Sequence, residues 1–181
     1  GSCNVSVQVV SDTPGTYSNL IPADSLQTTI GNNTTPASAQ LNIAVPGNPT
    51  LTKIFSPASI VADGTSQLSL NFGNVNSTPQ TLSADFVDQL PSGLVIANPA
   101  SLGGNCTGTV TAVPGASSIG FAQGGSIPVG GCLITVNVTS TRAAQYTNTV
   151  PAGALKTVGG GQNTVAASSV LTVKSKAPEV S

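Results

Sequence analysis

The stretch Ser66-Gln-Leu-Ser-Leu-Asn-Phe72 alternates polar and apolar residues from Gln67 onward. Successive side chains of an extended strand point to opposite faces, so this pattern predicts a strand with one face buried. The same reading extends to residues 51–55, 81–90, 108–113, 134–138, 146–150 and 165–173, which alternate or carry β-branched residues. Turn-forming clusters lie between them: Ser56-Pro57, Asp63-Gly64, residues 74–79, Pro91-Ser-Gly93, Pro114-Gly115 and residues 159–162. No window has helical periodicity. About seven short strands with turns roughly every ten residues predict an all-β fold, a two-sheet sandwich of the immunoglobulin-like kind.

The chain also repeats itself. Cys3 matches Cys132, Tyr17 matches Tyr146, Asn19 matches Asn148, Pro22 matches Pro151 and Leu26 matches Leu155, each at an offset of 129 positions (132 − 3, 146 − 17). After a one-residue slip, Asn33-Thr34 matches Asn163-Thr164 and Leu41 matches Leu171. The expected organisation is a C-terminal part of one repeat at 1–45, a stiff proline-containing linker at 46–49, a complete repeat at 50–173, and a polar tail or linker at 174–181. Residues 1–45 alone leave Val5, Val7, Val9, Leu41 and Ile43 uncovered. Two origins are open for this arrangement: a piece of a longer array, or strands completed by a neighbouring subunit.

Composition narrows the function classes. Of 181 residues, 39% are hydrophobic, only 6% are charged and 3% aromatic, against roughly 25% charged in ordinary soluble domains. A surface of Ser, Thr, Asn, Gln and Gly follows, which suits an extracellular, protease-exposed setting. The net charge of −1, with five basic residues scattered along the chain, offers no footprint for nucleic acid. No apolar run is long enough for a membrane span.

Three residues stand out by parity. Lys53 shares a strand face with Leu51 and Phe55; Asp88 shares one with Leu82, Ala84, Phe86 and Leu90; Asn148 shares one with Tyr146 and Val150. A lysine and a carboxylate directed into a core are costly unless they meet. One outcome is a Lys53–Asp88 ion pair with Asn148 as hydrogen-bond partner. The other is an autocatalytic isopeptide bond. Burial favours an uncharged lysine amine and a protonated Asp88, the acid polarises the Asn148 carbonyl, the amine attacks, and ammonia leaves.

Cys106 and Cys132 flank the 108–131 region of one repeat and are expected to form a disulfide; the alternative is two buried free thiols. Cys3 and Asn19 are the repeat counterparts of Cys132 and Asn148 and are expected to lack partners within this chain. No histidine or CxxC spacing exists, so no metal or cofactor is expected. Asp85 and Asp88, three apart on a strand, face opposite sides and cannot act as a carboxylate pair. With no serine elbow and no phosphate loop, the chain does not read as an enzyme.

Residues 49–59 (Pro-Thr-Leu-Thr-Lys-Ile-Phe-Ser-Pro-Ala-Ser), 88–94 (Asp-Gln-Leu-Pro-Ser-Gly-Leu), 127–132 (Ile-Pro-Val-Gly-Gly-Cys) and 146–155 (Tyr-Thr-Asn-Thr-Val-Pro-Ala-Gly-Ala-Leu) resemble the immunoglobulin-like conserved-repeat domains of unknown function found in tandem in bacterial cell-surface and secreted proteins. The resemblance implies a β-sandwich, an extracellular setting and a role in a stalk, adhesin or fibre. It implies neighbouring repeats or further copies of the chain as partners. It also matches Lys53, Asp88 and Asn148 to a lysine, an acidic residue and an asparagine of similar domains. A structural stalk or filament module is the favoured reading. An adhesin module that binds a glycan or host protein through its loops is the alternative.

Overall fold

A computed structural model describes residues 2–11, 13–43 and 47–177, and the chain divides into two units, Gly1–Pro46 and Gly47–Ser181. Every regular element among the described residues is a strand.

In the first unit, β1 (Gly15–Ile21) pairs antiparallel with β4 (Ala37–Ile43), Tyr17 opposite Leu41 and Asn19 opposite Ala39. Between them β2 (Gln27–Thr28) and β3 (Gly31–Asn32) make a small secondary hairpin. Residues 3–10 alternate as clearly as any strand in the chain but join no ladder. A strand exists only against a neighbour, and none of the described residues pairs with this segment.

The second unit contains β5 (Thr50–Ser56), β6 (Ser59–Val61), β7 (Thr65–Gly73), β8 (Gln80–Thr81), β9 (Phe86–Gln89), β10 (Val95–Ile96), β11 (Gly103–Gly104), β12 (Val110–Thr111), β13 (Ser118–Phe121), β14 (Ser126–Ile127), β15 (Cys132–Thr139), β16 (Ala144–Val150) and β17 (Ala167–Lys174). One layer runs β10-β15-β7-β5, with β11 also on β15. The other layer holds β16-β17-β6 and β12-β13-β9, while β8 and β14 pair at its margin. All ladders are antiparallel except that of β6, which lies parallel to the end of β17.

Alternation decides which side chains enter the core. Buried and exposed positions strictly alternate along β5, and β15 alternates buried with half-buried ones. Leu68, Leu70, Phe72, Ile134, Val136 and Val138 fill the core from one layer. Phe86, Ile119, Phe121, Val150, Leu171 and Val173 fill it from the other. Phe72 meets Phe86 and Phe121 edge-on, with ring centroids at 5.2 and 5.7 Å. At Gly125 a Cβ would stand 2.3 Å from the Phe121 ring, so packing demands glycine there.

Residues 81–90 do not form one strand. The chain breaks after β8, where Leu82 N–H donates to Gly125 O and Ser83 N–H to Lys156 O, and resumes at β9. Ala84, expected on the buried face, is therefore exposed. The 108–113 stretch contributes only β12, and its other residues join no ladder. The start of the unit is held by side chains. Gly47 N–H donates to Asn76 Oδ1 at 2.6 Å, and Gln80 Nε2 donates to Gly47 O at 2.7 Å.

Candidate functional site

Three strands bring Lys53, Asp88 and Asn148 together in the core of the second unit. Lys53 stands in β5 between Leu51 and Phe55, with its backbone opposite Leu70 of β7. Asp88 stands in β9 opposite Ile119, and Asn148 in β16 opposite Ser169. The alternation that buries their apolar neighbours buries them too: Asp88 is 0% exposed, Asn148 1% and Lys53 8%, and the Lys53 side chain itself is fully enclosed.

Lys53 Nζ donates to both Asp88 oxygens, at 2.7 and 2.8 Å. Asn148 Nδ2 donates to Asp88 Oδ2 at 3.2 Å. Asn148 Oδ1 is buried and accepts no hydrogen bond. An unsatisfied buried acceptor costs about 1–3 kcal/mol, so its position is informative. Half a turn of the amide would set that oxygen against Asp88, where it is satisfied only if Asp88 carries a proton.

Burial lowers the Lys53 pKa below 10.5, and the opposing pull of Asp88, by charge and by hydrogen bond, does not fully offset it. The amine is thus closer to its neutral, nucleophilic form than a surface lysine. An enclosed amine with a lowered pKa, a carboxyl group and an amide carbon are the groups an amine–amide exchange requires.

Cys106 and Cys132 form a disulfide with Cα atoms 5.0 Å apart, tying the segment after β11 to the start of β15. The bond closes a loop of 26 residues, worth about 3–4 kcal/mol by chain entropy. Reduction with the backbone otherwise intact is expected to lower the unfolding free energy of the second unit by that amount, measured by urea titration with and without reductant. An unchanged midpoint would show that the bond adds no constraint.

The other singled-out residues lie apart. Cys3 is an exposed free thiol, and Asn19 is exposed in β1. Asp85 is exposed and accepts from Gln123 N–H at 2.7 Å, away from Asp88.

Two supports escaped the sequence reading. Tyr146 Oη bonds Ser140 Oγ at 2.7 Å and donates to Arg142 O at 3.1 Å, fixing the entry to β16 and so the reach of Asn148. Asn163 caps the connection to β17, its Oδ1 accepting from Leu155 N–H at 2.8 Å and its Nδ2 donating to Pro151 O and Val165 O. The signal for both was in the repeat itself, since Ser11, Tyr17 and Asn33 recur at matched positions.

The fold and this polar group define a disulfide-bonded β-sandwich module. The chain belongs to the family described as Domain of unknown function (DUF7933), which matches residues 1–43 and 49–173. A search of curated proteins gives no match. Among solved structures the chain is similar to BslA, a bacterial hydrophobin, at 16% identity and a TM-score of 0.48, covering 75% of this chain and 100% of that one. It is also similar to a cohesin module from a Clostridium perfringens family 33 glycoside hydrolase, at 15% identity and a TM-score of 0.44, covering 74% and 100%. A non-cellulosomal cohesin from Archaeoglobus fulgidus gives 14% identity and a TM-score of 0.43, covering 68% and 91%.

Proposed function

We propose that this chain is a structural repeat module of an exported bacterial surface protein, serving as a spacer in an extracellular stalk or filament. In this reading Lys53, Asp88 and Asn148 close an intramolecular isopeptide bond. The observation that carries it is the enclosed contact of these three groups, spanning the first strand of the second unit and the strand before its last. Residues 46–49 then serve as the joint between successive repeats, and the partners are neighbouring repeats or further copies.

The reaction balances without any cofactor. The neutral Lys53 amine attacks Cγ of Asn148 while Asp88, protonated, hydrogen-bonds the amide oxygen. The Cγ–Nδ2 bond breaks, the proton lost by the amine reaches the departing nitrogen through Asp88, and ammonia leaves. A secondary amide replaces a primary amide, and the buried charge pair disappears with it.

The low charge and the disulfide favour an extracellular setting. The aromatic residues favour a structural role over an adhesive one. All four phenylalanines are core residues and Tyr146 is buried, so Tyr17 alone is an exposed aromatic. Binding surfaces are typically built around such groups at their centre.

Intact mass tests the reading. The purified chain is expected to be lighter than its sequence by one ammonia, beyond the hydrogens lost to the disulfide, and Asn148→Ala is expected to abolish that deficit. A mass carrying only the disulfide would leave the ion pair as the final state of the site.

A further inference from the structure

Five basic residues are spread along the sequence, but the fold does not leave them spread. Lys53 is enclosed with Asp88, and Lys156 stands in the connection beyond the far end of β16. The other three, Arg142, Lys174 and Lys176, meet at one end of the second unit. Arg142 lies two residues before β16, whose first residue, Ala144, pairs with Val173 of β17. Asp63 N–H donates to Ser140 O at 2.8 Å, Arg142 N–H to Ser140 Oγ at 3.1 Å, and Ala62 N–H to Lys174 O at 2.8 Å. Residues 62–64, residues 140–143 and the end of β17 thereby form one surface.

All three basic residues are exposed there. Lys176 Nζ pairs with Asp63 at 2.9 Å, in a contact open to solvent and screened by it. Arg142 and Lys174 form no ion pair among the described residues. The surface thus holds three positive charges against the single negative one of Asp63, in a chain whose net charge is −1.

Neutral groups lead away from these charges. Beside Arg142 a cleft of about 400 Å³ runs along β16 to the turn at Pro91-Ser92-Gly93. β16 is the outermost strand of its sheet, so one row of its main-chain groups lies outside any ladder. Tyr146 and Asn148 turn into the core, while Ser92, Gln145 and Thr147 present exposed hydroxyl and amide groups. Lys174 continues the outward face, since Leu171 and Val173 turn inward and Thr172 stands opposite Gln145. The one aromatic residue of the cleft, Tyr146, is buried, so no ring is offered for stacking on a nucleic-acid base.

We infer that this end of the second unit binds an acidic polysaccharide, an extended glycan with carboxylates on its sugar rings. The Arg142 guanidinium takes one carboxylate, its planar fork matching the two oxygens. Lys174 and Lys176 attract further carboxylates along the polymer. Ring hydroxyls exchange hydrogen bonds with Ser92, Gln145, Thr147 and the free edge of β16, which distinguishes a sugar chain from a bare polyanion. The site uses none of the enclosed groups around Lys53, so it holds whether or not the isopeptide bond forms. A spacer module with such an end is fastened to an acidic matrix without an aromatic binding face.

Titration calorimetry of the full chain, carrying Cys3→Ser to prevent thiol dimers, uses oligogalacturonate as the probe. Saturable binding is expected, and it should vanish in about 1 M salt, where charges are screened beyond about 3 Å. Arg142→Gln is expected to weaken it about tenfold, the loss of one charge-assisted contact. Lys174→Gln with Lys176→Gln should weaken it as well, while Lys156→Gln, on a residue away from this end, should leave it unchanged. Thermal unfolding beside the parent checks that each variant keeps its fold. Gln145→Ala with Thr147→Ala removes no charge and should lower affinity for oligogalacturonate but not any weak binding of poly(glycerol phosphate). Absence of oligogalacturonate binding overturns the inference. A loss with Lys156→Gln equal to that with Arg142→Gln marks unspecific attraction and overturns it too. Poly(glycerol phosphate) or duplex DNA binding as tightly as oligogalacturonate reduces the surface to a charge patch and overturns the glycan. Unaltered affinity in the Gln145/Thr147 variant removes the cleft from the site.

Discussion

Asn148→Ala is expected to lower the unfolding free energy of the second unit by about 4–5 kcal/mol. A bond between Lys53 and Asn148 closes a loop of 95 positions (148 − 53), and a loop near that length restricts the unfolded chain by about this much. The ion-pair alternative predicts a far smaller change. There the substitution removes one hydrogen bond of 3.2 Å and a side chain whose oxygen is already unpartnered, a loss of about 1 kcal/mol. Urea unfolding of the variant beside the parent, with the disulfide kept intact in both, separates the two. A loss near the smaller figure would argue that no covalent brace exists.

Lys53→Ala is the second large effect. Removing the amine takes away any cross-link and leaves Asp88 enclosed at 0% exposure without its counter-charge. Breaking a buried pair in this way costs about 3–5 kcal/mol. The cost lies in the abandoned charge rather than in the attraction lost. A paired replacement, Lys53→Met with Asp88→Leu, is therefore expected to recover most of the ion-pair component while leaving any cross-link absent. The comparison is informative whichever state the site occupies. If the double variant regains full stability, the pair was its only energetic element; if a deficit comparable to that of Asn148→Ala remains, the brace accounts for it. A single variant as stable as the parent would mean that Asp88 is readily neutralised or hydrated, and the enclosed-pair description would fail.

Much of the fold could be read from local alternation because β5, β7, β15 and β16 bury one face each, and period two is a strong signal. The same parity singles out Lys53, Asp88 and Asn148, since a polar residue in register with Leu51, Phe86 or Val150 has nowhere else to go. What alternation cannot report is a partner. Residues 3–10 have the pattern of β15 but none of its ladder, because pairing depends on segments far away in sequence. The break after β8 is hidden for the same reason: the pattern of residues 81–90 continues through it, while Gly125 and Lys156 capture the backbone from elsewhere. Strands of two or three residues, such as β6 and β11, carry too few positions to show any period. The tyrosine and asparagine braces depend on hydrogen bonds to main-chain groups, which composition does not reveal. Repetition would have exposed them.

The parallel contact between β6 and the end of β17 has a mechanical meaning. Thr172, Val173 and Lys174 lie beside Ser59, Ile60 and Val61 in the same direction, sealed by Thr172 N–H to Ala58 O at 2.9 Å and Ala62 N–H to Lys174 O at 2.8 Å. Tension applied to the two ends of this unit draws β6 backward and β17 forward along a shared axis. The bonds between parallel strands then bear the load together, in shear, instead of opening one at a time as in a peeled hairpin. Tension that reaches this ladder, through β5 on one side and the end of β17 on the other, would meet it in shear rather than by peeling.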